Sequence, residues 1–212
     1  MSVILINPNS TGAMTASALA AARRAAPEIA FEGWTSEAGP PAIEGPEDGD
    51  AAVPPLLDLV GLASRQGAGA IIIACFDDTG LEDARRIADC PVLGIGQASY
   101  TLAALLSGET AVITTVKVAV PVIRTNIETG GFGGTVKHVI AANVPVLTLE
   151  HDPEAAFHGF RAATERLPDG IENVILGCAG AVSITGRLAH ETRFRVIDGV
   201  SAAARLSRAI LP

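Results

Sequence analysis

Two short apolar runs, one in each half of the chain, both end in cysteine. The first is Ala70-Ile71-Ile72-Ile73-Ala74-Cys75 and the second Asn173-Val174-Ile175-Leu176-Gly177-Cys178. A run this short and almost wholly apolar reads as a strand buried on both faces of a parallel sheet. Glycine follows each thiol closely, in Phe76-Asp77-Asp78-Thr79-Gly80 and in Ala179-Gly180. Open α/β sheets bind their ligands at the carboxyl ends of parallel strands. Two thiols at such places, one per half, suggest an acid and a base facing each other across a cleft.

The order of elements repeats. Val3–Ile6 reads as a strand, Ser10 as the cap of an alanine-rich helix, and Pro27 as its end. Pro54 and Pro55 suit the first turn of a helix over Leu56–Gln66, with Gly67 and Gly69 leading into the Cys75 strand. A helix near Leu81–Ala88 and a strand over Pro91–Ile95 follow. In the second half, Glu109–Thr115 mirrors the first strand, Pro145–Leu149 reads as a strand and Pro153–Arg166 as a helix. Pro91 stands 16 residues after Cys75, and Arg195, opening the strand Arg195–Gly199, stands 17 after Cys178. The expected fold is therefore α/β, with two pseudosymmetric lobes of mainly parallel sheet and an active-site cleft between them. The first lobe takes residues 1–95 with 201–212, its closing helix Ser201–Ile210 packing back on it, and the second takes 96–200.

Composition narrows the function. The 212 residues suffice for a real core, and a net charge of −8 without any basic cluster argues against a nucleic-acid partner. No run is apolar for long enough to span a bilayer, and the start of the chain has no signal-peptide pattern. Three cysteines without CxxC spacing fit reduced cytoplasmic thiols. The expectation is a cytoplasmic protein acting on a small molecule.

A racemase removes a proton from one face of a carbon and returns one to the other. A cysteine on each side does this without moving the substrate, because thiolate and thiol serve as base and acid. A free thiol pKa of about 8.5 is lowered at a helix N-terminus, and both cysteines are expected just before helices. The N–H groups there can also hold a developing enolate oxygen. Against this, a lone cysteine ending a buried strand is commonly a small core residue; its placement at equivalent points of a repeat is what favours chemistry. Cys90 has no counterpart and reads as structural. A Cys75–Cys178 disulfide is conceivable on geometry but unexpected in the cytosol, and no histidine stands at zinc-ligand spacing from either thiol.

Three motifs, Ile6-Asn7-Pro8-Asn9-Ser10-Thr11, Ala74-Cys75-Phe76-Asp77-Asp78-Thr79-Gly80-Leu81 and Leu176-Gly177-Cys178-Ala179-Gly180, resemble the aspartate/glutamate/hydantoin racemase superfamily, most closely its hydantoin and allantoin branch. The likeness runs nearly end to end, through Gly39–Gly45 and Val196–Val200. It implies a cofactor-independent isomerase in which Cys75 and Cys178 are the catalytic pair and no metal takes part. It further implies substrate-binding groups at Asn7, Pro8 and Ser10, at Phe76 and Asp77, at Thr114, Thr115 and Val116, and at Ala179 and Gly180. Asn7 can equally be a turn residue and Ser10 a cap. Homo-oligomers are common in the family, and nothing in this sequence marks an interface.

The chain departs from the branch where Gly, Asp, Pro usually follow Cys-Phe; here Asp77, Asp78 and Thr79 do. Asp77 brings a carboxylate beside the first thiol, which raises the thiol pKa and repels anions. It can also accept hydrogen bonds from ring or ureido N–H groups. Gln97 stands where an acidic residue is common. Phe76 and Ala179 replace the polar residues of the amino-acid racemases, which favours a neutral ring over free aspartate or glutamate.

The leading reading is thus racemisation of a 5-substituted hydantoin or of allantoin. The alternatives are an amino-acid racemase, a maleate-type cis–trans isomerase with one nucleophilic cysteine, and a non-catalytic small-molecule-binding module. Ser36–Asp50 is either a solvated loop or a lid over the cleft. Gly130–Gly134 lacks the lysine of a phosphate-binding loop and reads as a connector. His138, His151, His158 and His190 are scattered and carry no catalytic expectation.

Overall fold

The computed structural model describes residues 2–211; Met1 and Pro212, the outer ends of the expected first lobe, lie outside the described residues. The first series of elements is β1 (Val3–Asn7), α1 (Gly12–Ala25), β2 (Phe31–Thr35), α2 (Pro46–Arg65), β3 (Ala70–Ile73), α3 (Leu81–Ile87), β4 (Val92–Gly94) and α4 (Ile95–Ala104). The second is β5 (Glu109–Thr114), α5 (Val120–Thr129), β6 (Val136–Ala141), α6 (Thr148–His151), α7 (Pro153–Thr164), β7 (Ile171–Gly177), α8 (Thr185–Glu191), β8 (Arg195–Asp198) and α9 (Gly199–Ile210). The strands form two four-stranded sheets ordered β2-β1-β3-β4 and β6-β5-β7-β8, and every pairing is parallel. The two lobes therefore share one topology, as the repeated sequence order implies.

The apolar runs look continuous because both faces of each central strand are covered. Along β3, Ile71 and Ile73 enter an apolar cluster with Leu56 and Val60 of α2, while Ala70 and Ile72 enter another. In β7, Val174 and Leu176 point one way and Ile175 the other. Ile72, Val112 and Ile175 belong to one cluster, so the lobes share a core rather than merely touching. Each fully buried isoleucine contributes roughly 1.5–3 kcal/mol by leaving water. Helix α9 closes the molecule by packing on α1 and α4. Asp198 caps it, accepting from the Ser201 N–H at 2.7 Å, and Gly199 lies so close to the Ile95 carbonyl that a methyl group would overlap it.

Several local expectations need correction. Pro145–Leu149 is not a strand but a turn running into α6. Val146 and Leu149 are buried at a spacing of three, which suits a helical turn. The edge strand is instead Val136–Ala141, whose mixed burial, with Lys137 exposed, hid it. The equivalent edge of the other sheet, β2, was equally concealed by the glutamate and glycine of Phe-Glu-Gly-Trp-Thr. Pro54 and Pro55 lie inside α2, which starts at Pro46. Their missing N–H groups release the carbonyls of Asp50 and Ala51, both exposed residues that water can serve. Ser10 does not cap α1. Thr11 holds that position without a side-chain bond, and the Ser10 N–H instead donates to the Pro40 carbonyl at 2.9 Å.

Candidate active site

The two thiols line one narrow cavity at the carboxyl ends of the central strands. Cys75 comes two residues after β3 and Cys178 directly after β7. The cavity also brings together Phe76, Asp77, Thr114, Thr115 and Ala179. Thr114 Oγ1 donates to the Gly177 carbonyl at 3.0 Å, tying β5 to the strand below Cys178. Phe76 packs its ring edge-on against buried Tyr100, with 5.7 Å between centroids.

The other expected binding residues stand behind this lining. Asn7 is buried and its amide donates to Asn9 Oδ1 at 2.8 Å and Thr15 Oγ1 at 3.1 Å, so it shapes the turn after β1. Pro8 is buried, with its carbonyl pressed against Gly39 so tightly that a methyl group there would collide. Ser10, Val116 and Gly180 are also absent from the lining. Gly180 packs under Met14 and Leu149. Sequence reasoning missed Asn9, Met14, Ile43 and Val146, which do line the cavity. Asn9 was signalled by its place in the same Asn-Pro-Asn-Ser motif. Ile43 and Val146 had no local signal, because long loops carry them in.

One of these loops spans the lobes. Glu44 Oε1 accepts the Val146 N–H at 2.7 Å, and Ile43 beside it faces the cavity. Residues 36–45 thus form a strap across the cleft, and α2 begins directly after it. From the other side, Asn126 of α5 donates its side-chain amide to the Asp77 carbonyl at 2.7 Å.

The turn after Cys75 is held by Asp78. Its backbone adopts φ +50°, costly for a residue with a Cβ, and its carboxylate accepts the N–H groups of Gly96 at 2.9 Å and Gln97 at 2.7 Å. It thereby satisfies two free donors at the start of α4. Side chains at Gly94 or Gly96 would overlap this carboxylate, which explains the glycines of Gly94-Ile95-Gly96. Gln97 also accepts from the Arg85 guanidinium.

Neither thiol sits at the start of an α-helix, contrary to expectation. Five residues separate Cys75 from α3, and a 3-10 turn over Ala179–Ser183 follows Cys178. Burial is consequently the larger influence. It pushes Cys178 up to about 12, opposed by the Gly180 N–H, with the Asp77 charge adding to the rise. Cys75 retains some surface as a residue, but its sulfur is enclosed. Burial and then the Asp77 carboxylate lift its pKa well above that of a free thiol, against the Thr79 hydroxyl at 3.4 Å and the Asp77 N–H. Burial alone raises Asp77 to about 7. Burial raises Asp78 to the same value, opposed by its two N–H donors. All three cysteines are free. Among the described residues no group of His, Cys, Asp and Glu is disposed to hold a metal, and no helix is long and apolar enough to cross a membrane.

The profile of the Asp/Glu/hydantoin racemase family matches residues 3–207. A hydantoin racemase of Rhizobium meliloti is 40% identical over all of this chain and 89% of its own length. The chain belongs to the Asp/Glu/hydantoin racemase family. The allantoin racemase of Klebsiella pneumoniae superposes with a TM-score of 0.94 at 33% identity, over 99% of this chain and 86% of that one. That of Pseudomonas fluorescens gives 0.91 at 28% identity, over 99% and 90%. These likenesses put the chain in the hydantoin and allantoin branch of the racemases, a group of isomerases. Glutamate racemases, at 18% identity or less for two of them, share the fold.

Proposed function

We propose that this racemase inverts the chiral carbon of a 5-substituted hydantoin or of allantoin, with Cys75 and Cys178 as the acid–base pair and no cofactor. The observation that carries the reading is one cavity holding a thiol from each lobe, at matching strand ends. One thiolate takes the proton from the ring carbon, the electron pair moves onto the adjacent carbonyl as an enolate, and the opposite thiol gives its proton to the other face. The first sulfur is left as a thiol and the second as a thiolate, ready for the reverse direction. Raised pKa values keep both groups protonated at rest, so the reactive form is a small fraction. When it forms it is a stronger base than a free cysteine, matched to a weak carbon acid. The lobes that carry the pair are residues 1–95 with 201–212, and 96–200.

Hydantoins, allantoin, aspartate and glutamate incubated in D₂O test the reading by loss of the α-proton signal against enzyme-free controls. Fast exchange in the ring compounds, abolished as racemisation by Cys75→Ser and by Cys178→Ser, is the expected outcome. Exchange confined to the amino acids, or racemisation untouched in both variants, overturns it.

A further inference from the structure

Asp77 and Asp78 are adjacent carboxylates with opposite surroundings. Asp78 spends its oxygens on two backbone N–H groups. The Asp77 carboxylate accepts no hydrogen bond among the described residues, although the backbone beneath it is fixed by Asn126. It lines the cavity that contains both thiols, and among the described residues it is the only charged side chain doing so, with no lysine, arginine or histidine in that lining. Asp77 is half-buried, so water reaches its carboxylate until a ligand fills the cavity. A ligand that shuts out that water without offering a donor leaves the carboxylate unpaired at a cost, and one that brings a donor avoids it. A ligand that brings a carboxylate meets a negative wall with no cation to offset it.

We propose that Asp77 is a specificity-determining residue, whose carboxylate accepts a ring N–H of a neutral cyclic ureide and excludes open-chain carboxylates from the same cavity. This rests on the racemase reading and adds to it the group that selects the substrate class. A site built to pair an N–H discriminates strongly against the analogue that lacks it. The expected ratio is about 10- to 100-fold, the range of a hydrogen bond to a charged group.

The test is calorimetric binding of racemic 5-isopropylhydantoin and its N1-methyl and N3-methyl derivatives to the wild-type protein, Asp77→Ala and Asp77→Asn. A racemic ligand is already at equilibrium, so turnover adds no heat. The wild type should bind the parent compound about 10- to 100-fold more tightly than one of the methylated derivatives. Asp77→Ala should level that ratio, and Asp77→Asn, which keeps an oxygen acceptor, should restore part of it. N-carbamoylvaline, an open-chain carboxylate, should bind more tightly to Asp77→Asn than to the wild type. Equal binding of all three rings by the wild type, or an unchanged ratio in both variants, overturns the proposal. Should Asp77→Ala fail to fold, the wild-type ratio and Asp77→Asn still decide. If D₂O exchange proceeds without discrimination, only the Asp77 proposal falls. If no ring compound binds or exchanges, the racemase reading falls with it.

Discussion

The turn after Cys75 and the turn after Cys178 occupy matching places in sheets of identical order, yet they are chemically unlike. The first is acidic, with two carboxylates and a threonine hydroxyl beside the sulfur, and it is tied to α4 and α5 through Asp78 and Asn126. The second is made of Ala179, Gly180 and Ala181, buried, with only backbone N–H groups turned toward the sulfur. A repeated backbone can therefore fix where two thiols stand while their neighbours tune each separately. Both are raised by burial, but the nearby charge of Asp77 ranks higher among the causes at Cys75.

The sharpest test of the comparison is loss of either thiol. Each Cys→Ser variant should lose racemisation by about 10³-fold or more, since a positioned acid or base supplies 10²–10⁴. Proton exchange from one enantiomer should survive in each variant, and from opposite enantiomers in the two. NMR exchange on resolved substrate reads this, and exchange of the same enantiomer in both variants would break the two-sided picture.

A smaller but still large effect belongs to the first turn alone. Asp78→Ala strands the N–H groups of Gly96 and Gln97, at a cost of about 1–3 kcal/mol. Thermal unfolding should show a Tm lower by several degrees. Iodoacetamide should then alkylate Cys75 faster, with Cys178 little changed and Cys90 as the internal reference. Equal acceleration of Cys75 and Cys178 would mean that the clamp serves the whole cleft.

Much of this architecture was legible because burial on two faces writes itself as an apolar run. The four central strands, the paired thiols and the repeat all follow from such runs. The edge strands β2 and β6 did not, since half-exposed strands carry Glu32, Gly33 and Lys137 and lose the pattern. The lining of the cavity was legible where it is local: Cys75 through Asp77 and Cys178 with Ala179 are contiguous in sequence. Ile43 and Val146 reach it through tertiary packing, and the Asp78 clamp spans 18 residues to the start of α4. No local pattern encodes such contacts.

Asp77→Asn separates charge from shape with a milder expected effect. Removing a negative charge near Cys75 lowers that thiol's pKa, so Cys75 should be alkylated several-fold faster at pH 8, and Cys178 less so. Stability supplies a second reading. Asp77 has a folded pKa of about 7, above its ordinary 3.8, so the native state holds the extra proton between those values. Stability from this group is present below about pH 4 and falls as pH rises through 7. Relative to wild type, Asp77→Asn should gain Tm at pH 8 and gain little at pH 4. Asp78 titrates in the same window and is itself raised in part by the Asp77 charge, so the difference between the two proteins reports Asp77 together with that coupling.

The smallest effect concerns the strap. Glu44→Gln keeps an oxygen for the Val146 N–H but removes the charge, whereas Glu44→Ala leaves that N–H without its acceptor. The alanine variant should lose about 1 kcal/mol and the glutamine variant less. If the strap serves the cleft rather than the fold, KM should rise in the alanine variant by more than the stability loss accounts for, while kcat changes little. The two thiols should gain reactivity together, because Ile43 and Val146 cover the cavity they share. A gain at one thiol alone would assign the strap to that lobe, making it a further source of the asymmetry between the two turns.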